Sequence, residues 1–147
     1  MTNNDKIDRT ALEVRKRLQE KRRQILEKSP GEALDLILQD PQQLPLVHSF
    51  PEQDFYFLIH DIGPEDALPL LALASEKQWD HIVDLETWQK DRIDLQSVSR
   101  WLGLLLDADQ QRFIRWFLEQ KLEFIELYLF RNIEFRVIDQ WQRAESR

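Results

Sequence analysis

The chain has 147 residues, a length that fits one domain or one domain with an arm. Its hydrophobic share of 42% is enough to bury a core, and three glycines with six prolines leave little material for a loop-rich β fold. The absence of cysteine excludes a disulfide framework, a thiol nucleophile and a thiolate zinc site. Because no stretch reaches the roughly 20 apolar residues of a transmembrane segment, and the first thirty residues are polar, we expect a soluble cytoplasmic protein.

Charge is distributed unevenly along the chain. The net charge is −7, yet residues 1–30 contain nine Lys and Arg against five Asp and Glu, whereas the remainder contains eleven against twenty-two. We therefore predict a basic helical arm, residues 1–29, followed by an acidic helical-repeat domain, residues 30–147. The acidic balance argues against nucleic acid as the partner.

The arm is predicted to be helical from about residue 8 to residue 28, since it contains no glycine or proline. Apolar residues recur at alternating spacings of four and three, interrupted by Lys21, and form a narrow stripe: Ile7, Ala11, Val14, Leu18 and Ile25. The arm could fold back onto the acidic domain, contact an acidic partner or a second subunit, or contact nucleic acid or an anionic membrane. The candidate contact residues are Arg15, Lys16, Arg22 and Arg23.

Helix signals continue through the rest of the chain. Ser29 and Pro30 predict the start of a helix with Glu32 in its first turn, and Gly63 predicts the end of another. Three prolines divide residues 41–62 into short helices. We expect further helices over residues 64–75, 76–88, 94–106, 109–119, 120–131 and 133–143, and we expect Asp94 and Asp107 to act as N-caps.

A degenerate repeat relates two parts of the chain at a spacing of 45 residues. The apolar positions Leu68, Leu71, Ala72, Leu73, Trp79 and Ile82 then fall opposite Phe113, Trp116, Phe117, Leu118, Phe124 and Leu127. Repeated helix pairs bury their apolar faces by stacking on one another. The sequence therefore predicts an all-α fold, a short right-handed superhelical stack of helical repeats with a basic N-terminal helix.

The segments that open the two repeats carry a resemblance to a known family. Residues 62–71, Ile-Gly-Pro-Glu-Asp-Ala-Leu-Pro-Leu-Leu, and residues 106–114, Leu-Asp-Ala-Asp-Gln-Gln-Arg-Phe-Ile, resemble the helical repeats of the N-terminal superhelical domain of MgtE-type magnesium transporters. They are also similar to uncharacterised bacterial proteins built on that helical unit. The resemblance covers roughly residues 54–131 and implies a cytosolic, acidic, regulatory domain, without implying any individual metal ligand.

Several acidic residues and histidines are candidates for cation binding. Asp61, Glu65 and Asp66 lie in the first repeat, and oxygen ligands suit magnesium or calcium. His81 and Asp84 share one helix face, and His60 is a third candidate. Two side chains are too few for a closed metal site, and carboxylates are routinely displayed to water, so only weak divalent cation binding is expected.

No pattern in the sequence indicates catalysis. Ser97 and Ser99 lack a neighbouring histidine or a glycine-rich turn, and no phosphate-binding loop is present. We therefore predict a protein that is not an enzyme, with no catalytic residues and no cofactor.

The aromatic residues point instead to recognition. Five tryptophans and eight phenylalanines exceed what two short repeats need for their core, although packing between helices would account for most of them. Large rings are favoured at protein interfaces. We predict a non-enzymatic interaction or regulatory module that binds a protein segment or a second copy of itself through an aromatic face between helices. The alternative is an ion-responsive, magnesium-dependent regulatory domain. The residues predicted for the aromatic face are Trp101, Phe113, Trp116, Phe117 and Tyr128.

Overall fold

The computed structural model describes residues 2–89, 92–120, 126 and 142–145. It is almost entirely helical over these residues, and the prediction of an all-α fold is confirmed. The helices are α1 (Asn3–Leu26), α2 (Pro30–Gln39), α3 (Gln43–Ser49), α4 (Glu52–Ile62), α5 (Leu68–Leu73), α6 (Glu76–Thr87), α7 (Leu95–Ala108) and α8 (Gln110–Gln120). Between α6 and α7, strands β1 (Trp88–Gln89) and β2 (Arg92–Ile93) form a two-residue antiparallel ladder. None of the described helices is both long enough and apolar enough to cross a membrane.

The chain divides into two compact units, Met1–Asp109 and Gln110–Arg147. In the first unit α6 packs against α4 and α7, α5 packs against α7, and α1 contacts α2 and α3. Its core is formed by apolar side chains from all seven helices, among them Ile25, Ile37, Leu46, Phe55, Leu71, Trp79 and Leu105. In the second unit, the part that the structure describes is mainly α8.

Several helix ends lie where the sequence predicts them. Ser29 is the N-cap of α2 and Pro30 its first residue, although the Ser29 side chain makes no capping hydrogen bond. Gly63 ends α4 with a φ of 101°, a conformation that L side chains rarely adopt. Asp94 caps α7 by accepting a hydrogen bond of 3.2 Å from the Ser97 backbone N–H.

Three predicted boundaries are wrong. The arm helix begins at Asn3 rather than at about residue 8, because Thr2 is its N-cap and Asp5 in the first turn accepts a 3.2 Å hydrogen bond from the Thr2 N–H. The helix expected from Pro64 begins at Leu68 instead, after a turn closed by a 2.9 Å hydrogen bond from Ala67 N–H to Gly63 O. The physical reason is Pro69, which lacks an N–H and is tolerated in the first turn of a helix but not in its interior. Asp107 is not an N-cap, because α7 continues through Ala108 and α8 begins at Gln110.

A capping box that was not predicted fixes the start of α6. The Ser75 N–H donates to Gln78 Oε1 at 2.8 Å, and the Gln78 N–H donates to Ser75 Oγ at 3.2 Å. The buried Gln78 amide also donates to the carbonyls of Val47 and Phe50, at 2.8 and 3.1 Å. The Gln78 side chain therefore provides hydrogen-bond partners for backbone groups both at the start of α6 and at the end of α3.

The predicted 45-residue repeat and the right-handed superhelical stack stay predictions. The second copy of the repeat extends into residues 121–131, which lie outside the described residues except for residue 126. The proposed division into an arm, residues 1–29, and a domain, residues 30–147, also stays a prediction.

Candidate functional site

The first candidate site is the N-terminal part of α1. Every residue from 3 to 17, which we call the arm segment, is exposed. Ile7 and Val14 are 61% and 43% exposed, although both belong to the apolar stripe of the helix. They form one open, largely apolar helix face together with Lys6, Thr10, Ala11 and Arg15. The arm segment thus presents an apolar stripe with basic residues beside it.

The C-terminal part of α1 holds the helix to the rest of the first unit. Ile25 is 4% exposed and belongs to the core, and α1 contacts both α2 and α3. Lys21, at the polar interruption of the stripe, forms a 2.8 Å ion pair with Asp40. The hydrogen bond from Lys21 lowers the pKa of the Asp40 carboxyl below its usual range. The helix is therefore anchored at one end, and the residues of the arm segment are exposed beyond the contacts that α1 makes with α2 and α3.

The four predicted arm contacts differ in their surroundings. Arg15 and Lys16 are exposed in the arm segment, and Arg22 is half-buried near the anchored end. Arg23 forms ion pairs within α1, at 2.5 Å to Glu20 and 2.8 Å to Glu27. Arg15 is thus the predicted contact residue that also lies on the open apolar face of the arm segment.

The second candidate site is a polar cluster between α4, α6 and α7. Glu86 is buried at 8% exposure, and its carboxylate accepts three hydrogen bonds. Tyr56 Oη donates to Oε1 at 2.8 Å, His60 Nε2 contacts the same oxygen at 2.8 Å, and Ser97 Oγ donates to Oε2 at 2.9 Å. Side chains from three helices therefore meet at one carboxylate.

The cluster shifts the acidity of two of its members. Burial raises the pKa of the Glu86 carboxyl, but the hydrogen bonds from Tyr56, Ser97 and His60 outweigh burial and leave the pKa below its ordinary value. Burial and the neighbouring Glu86 raise the pKa of Tyr56 to about 12. The arrangement favours an ionised Glu86 and a protonated Tyr56 at neutral pH.

The geometry of the cluster is not that of an activated serine nucleophile. Such a serine donates its hydroxyl hydrogen to a histidine, and a carboxylate orients that histidine from the far side. Here Ser97 and His60 contact different oxygens of the same carboxylate, so Glu86 lies between them. The cluster ties three helices together. The absence of catalysis stays a prediction.

The expectation that carboxylates are displayed to water is wrong for Glu86. Glu86 follows Trp79, Ile82 and Val83 at helical spacings of seven, four and three, so it lies on the buried face of α6. A carboxylate on an otherwise apolar stripe is the signal that could have identified it.

His81 Nε2 is also buried and has no hydrogen-bond partner among the described residues, and the centroid of the His81 ring is 6.3 Å from that of Tyr56.

The residues predicted for the aromatic face lie in different surroundings. Trp101 is 2% exposed in the first unit, where its ring centroid is 5.6 Å from that of His60. In α8 the rings of Phe113, Trp116 and Phe117 contact one another, with centroids 5.3 to 6.5 Å apart. Trp116 is fully buried, and Tyr128 lies outside the described residues. A partner could therefore reach Trp101 or Trp116 only after a rearrangement.

The candidate cation ligands do not converge in the part of the chain that the structure describes. No three His, Asp or Glu side chains there lie close enough together to hold a metal ion. Asp61 and Asp66 are exposed, whereas Glu65 pairs with Arg100 at 2.6 Å. The hydrogen bond from Arg100 lowers the pKa of Glu65. His60 contacts Glu86.

Comparison with known proteins gives one result for the whole chain. A model of the Family of unknown function (DUF6178) matches residues 11–145. No curated protein and no solved structure matches the chain. The comparisons therefore support an uncharacterised family and provide no link to the MgtE-type transporters. The chain belongs to DUF6178, a family of unknown function.

Proposed function

We propose that this chain is a non-enzymatic protein-interaction module and that the arm segment is its binding surface. The observation that carries the proposal is that every residue from 3 to 17 is exposed, including the apolar side chains Ile7 and Val14. Helices in proteins usually owe most of their stability to packing of an apolar face. We propose that a partner supplies the packing that this face of α1 lacks.

Charge indicates the kind of partner. Lys6 and Arg15 lie on the apolar face of the arm segment, and α1 contains eight Lys and Arg against four Asp and Glu. An acidic surface with an apolar centre would bury the stripe while neutralising the basic residues beside it. We therefore propose an acidic protein surface as the ligand. The aromatic face is not the basis of this proposal, because both of its tryptophans, Trp101 and Trp116, are buried.

The experiment compares complexes formed by the wild-type chain and by an arm variant in the native cell. Ile7→Glu with Val14→Glu places carboxylates in the stripe, and both side chains are exposed, so the fold is expected to survive. Crosslinking in cells, mass measurement of the products and reconstitution from purified components would detect either another protein or a second copy. We expect the arm variant to lose the complex.

Leu118→Glu is the matched control, since Leu118 is 58% exposed in α8, close to the 61% of Ile7. It adds a carboxylate to another exposed apolar position, so it should leave the complex intact. Equal complex formation by the arm variant and by the wild-type chain would contradict the proposal. The alternative of a magnesium-responsive domain stays untested, and no contact among the described residues favours it.

A further inference from the structure

We propose that the acidic surface that binds the arm segment is the outer face of α4 in a second copy of this chain. This inference rests on the proposed function and names its partner. The α4 face consists of Asp54, Phe57 and Asp61, which lie at spacings of three and four residues and therefore on one side of the helix. All three are exposed, and Phe57 is 53% exposed. A large ring thus lies in water between two carboxylates.

The two surfaces complement each other in chemistry. The arm segment offers Ile7 and Val14 beside Lys6 and Arg15, and the α4 face offers an apolar ring flanked by acidic groups. At about 1.5 Å per residue, the arm segment is roughly 22 Å long and the eleven-residue α4 roughly 16 Å. Pairing them would cover apolar area on both sides and place opposite charges around it.

Parallel pairing of two α1 helices is unfavourable. At heptad spacing Arg17 and Arg22 flank the stripe at positions that face each other in a parallel pair, so arginine would meet arginine. Within one copy the two surfaces do not meet, because both the arm segment and the α4 face are exposed. Contact between the arm segment of one copy and the α4 face of another brings opposite charges together.

Two-fold symmetry would double the contact area between two copies. A single helix laid across another buries less than the roughly 800 Å² per partner of a standard interface. If the arm segment of each copy lies on the α4 face of the other, the contact occurs twice and the assembly closes as a dimer. The charges predict that added salt weakens the dimer.

The test uses two charge-reversed variants of the full chain. The arm-reversed variant carries Lys6→Glu and Arg15→Glu, and the face-reversed variant carries Asp54→Lys and Asp61→Lys. Each variant alone would place like charges in both contacts, so each should be monomeric by light scattering, whereas the wild-type chain has twice the chain mass. Mixed in equal amounts, the two variants have complementary arms and faces and should form a one-to-one heterodimer.

Matched controls make the same charge changes elsewhere at exposed positions. Lys77→Glu with Arg115→Glu, and Asp35→Lys with Asp107→Lys, should both leave the dimer intact, and circular dichroism verifies the fold of every variant. A monomeric wild-type chain, a dimer that persists in either reversed variant, or a mixture that fails to pair would each overturn the inference. If the wild-type chain is monomeric but Ile7→Glu with Val14→Glu still abolishes a crosslinked complex with another protein, the inference fails and the proposed function stands.

Discussion

At the scale of single residues, Glu86 shows how a buried charge is accommodated. Burying a carboxylate is costly unless hydrogen bonds compensate for the loss of water. Glu86 receives such bonds from Tyr56, His60 and Ser97. The same contacts join α4, α6 and α7, so the local satisfaction of one charge also fixes the arrangement of three helices.

Replacing Glu86 tests this account. Glu86→Gln keeps a similar shape but removes the charge, so we expect the free energy of unfolding at pH 7 to fall by about 1 to 2 kcal/mol. Because folding lowers the pKa of Glu86, its contribution is present above the ordinary glutamate value of 4.5 and is lost as pH falls through the lowered pKa. Urea denaturation of both proteins between neutral pH and pH 3 would measure the difference.

Above the ordinary glutamate pKa of 4.5, the difference in free energy of unfolding between wild type and Glu86→Gln should be constant. Below that pH the difference should become smaller. Asp107→Asn serves as the control, since Asp107 is exposed and its removal should change stability by less than about 0.5 kcal/mol. A gap that widened in acid would show that the cluster does not favour the ionised carboxylate.

Two glycines provide a second prediction at this scale. Gly63→Ala places a side chain at a φ of 101°, and we expect the free energy of unfolding to fall by about 1 to 2 kcal/mol. Gly103 lies inside α7 with no atom within 4 Å of an added Cβ, so Gly103→Ala should raise it by about 0.5 to 1 kcal/mol. Thermal melts of the two variants should shift in opposite directions. Equal shifts would contradict the assigned backbone conformation.

At the scale of elements, α1 combines an anchored end with an exposed one. The apolar positions continue at the same spacing along its length, yet Ile25 is buried and Ile7 is 61% exposed. The pattern of a stripe identifies which side of a helix is apolar, whereas the contacts of α2 and α3 decide how much of that side is covered.

Alanine substitutions along the stripe should reveal this division. Ile25→Ala removes buried methyl groups and should lower the free energy of unfolding by about 2 to 4 kcal/mol. Ile7→Ala, measured on the monomeric arm-reversed background so that self-association does not contribute, should change it by less than about 0.5 kcal/mol. Chemical denaturation measures both values. A large loss at Ile7 in the monomer would mean that the arm segment is packed within its own copy.

At the scale of the whole molecule, charge and core are distributed in different ways. The surplus of basic residues lies in the first thirty positions, while the acidic surplus lies in the remainder. The buried apolar residues of the first unit extend from Ile25 on α1 to Leu105 on α7. The unit Met1–Asp109 therefore includes the basic helix together with a hydrophobic core.

This organisation predicts that the first unit folds by itself. A fragment of residues 1–109 should be helical and unfold cooperatively in a thermal melt followed by circular dichroism, because α5 and α6 keep their contacts with α7. A fragment of residues 1–94 lacks α7 and loses those contacts, so it should show no cooperative transition. Two results would contradict the prediction that residues 1–109 form an independent folding unit that requires α7. One is cooperative unfolding of the shorter fragment, and the other is non-cooperative unfolding of the longer fragment.

The sequence alone determined the helical class, most of the helix boundaries and the apolar stripe of α1, because spacing, capping residues and prolines act locally along the chain. Local patterns also contain the Ser75–Gln78 capping box and the position of Glu86 on the stripe of α6, although neither was predicted. The boundary at Leu68 depends on Pro69 rather than on Pro64.

Only the tertiary structure decided which surfaces are exposed. Trp101 and Ile7 both occupy apolar helix positions, yet Trp101 is buried and Ile7 lies in water. Likewise, Tyr56, His60 and Ser97 reach Glu86 across separations of 30, 26 and 11 residues. Exposure and such contacts depend on which helices pack side by side, and helical periodicity specifies the side of a helix without specifying its neighbour.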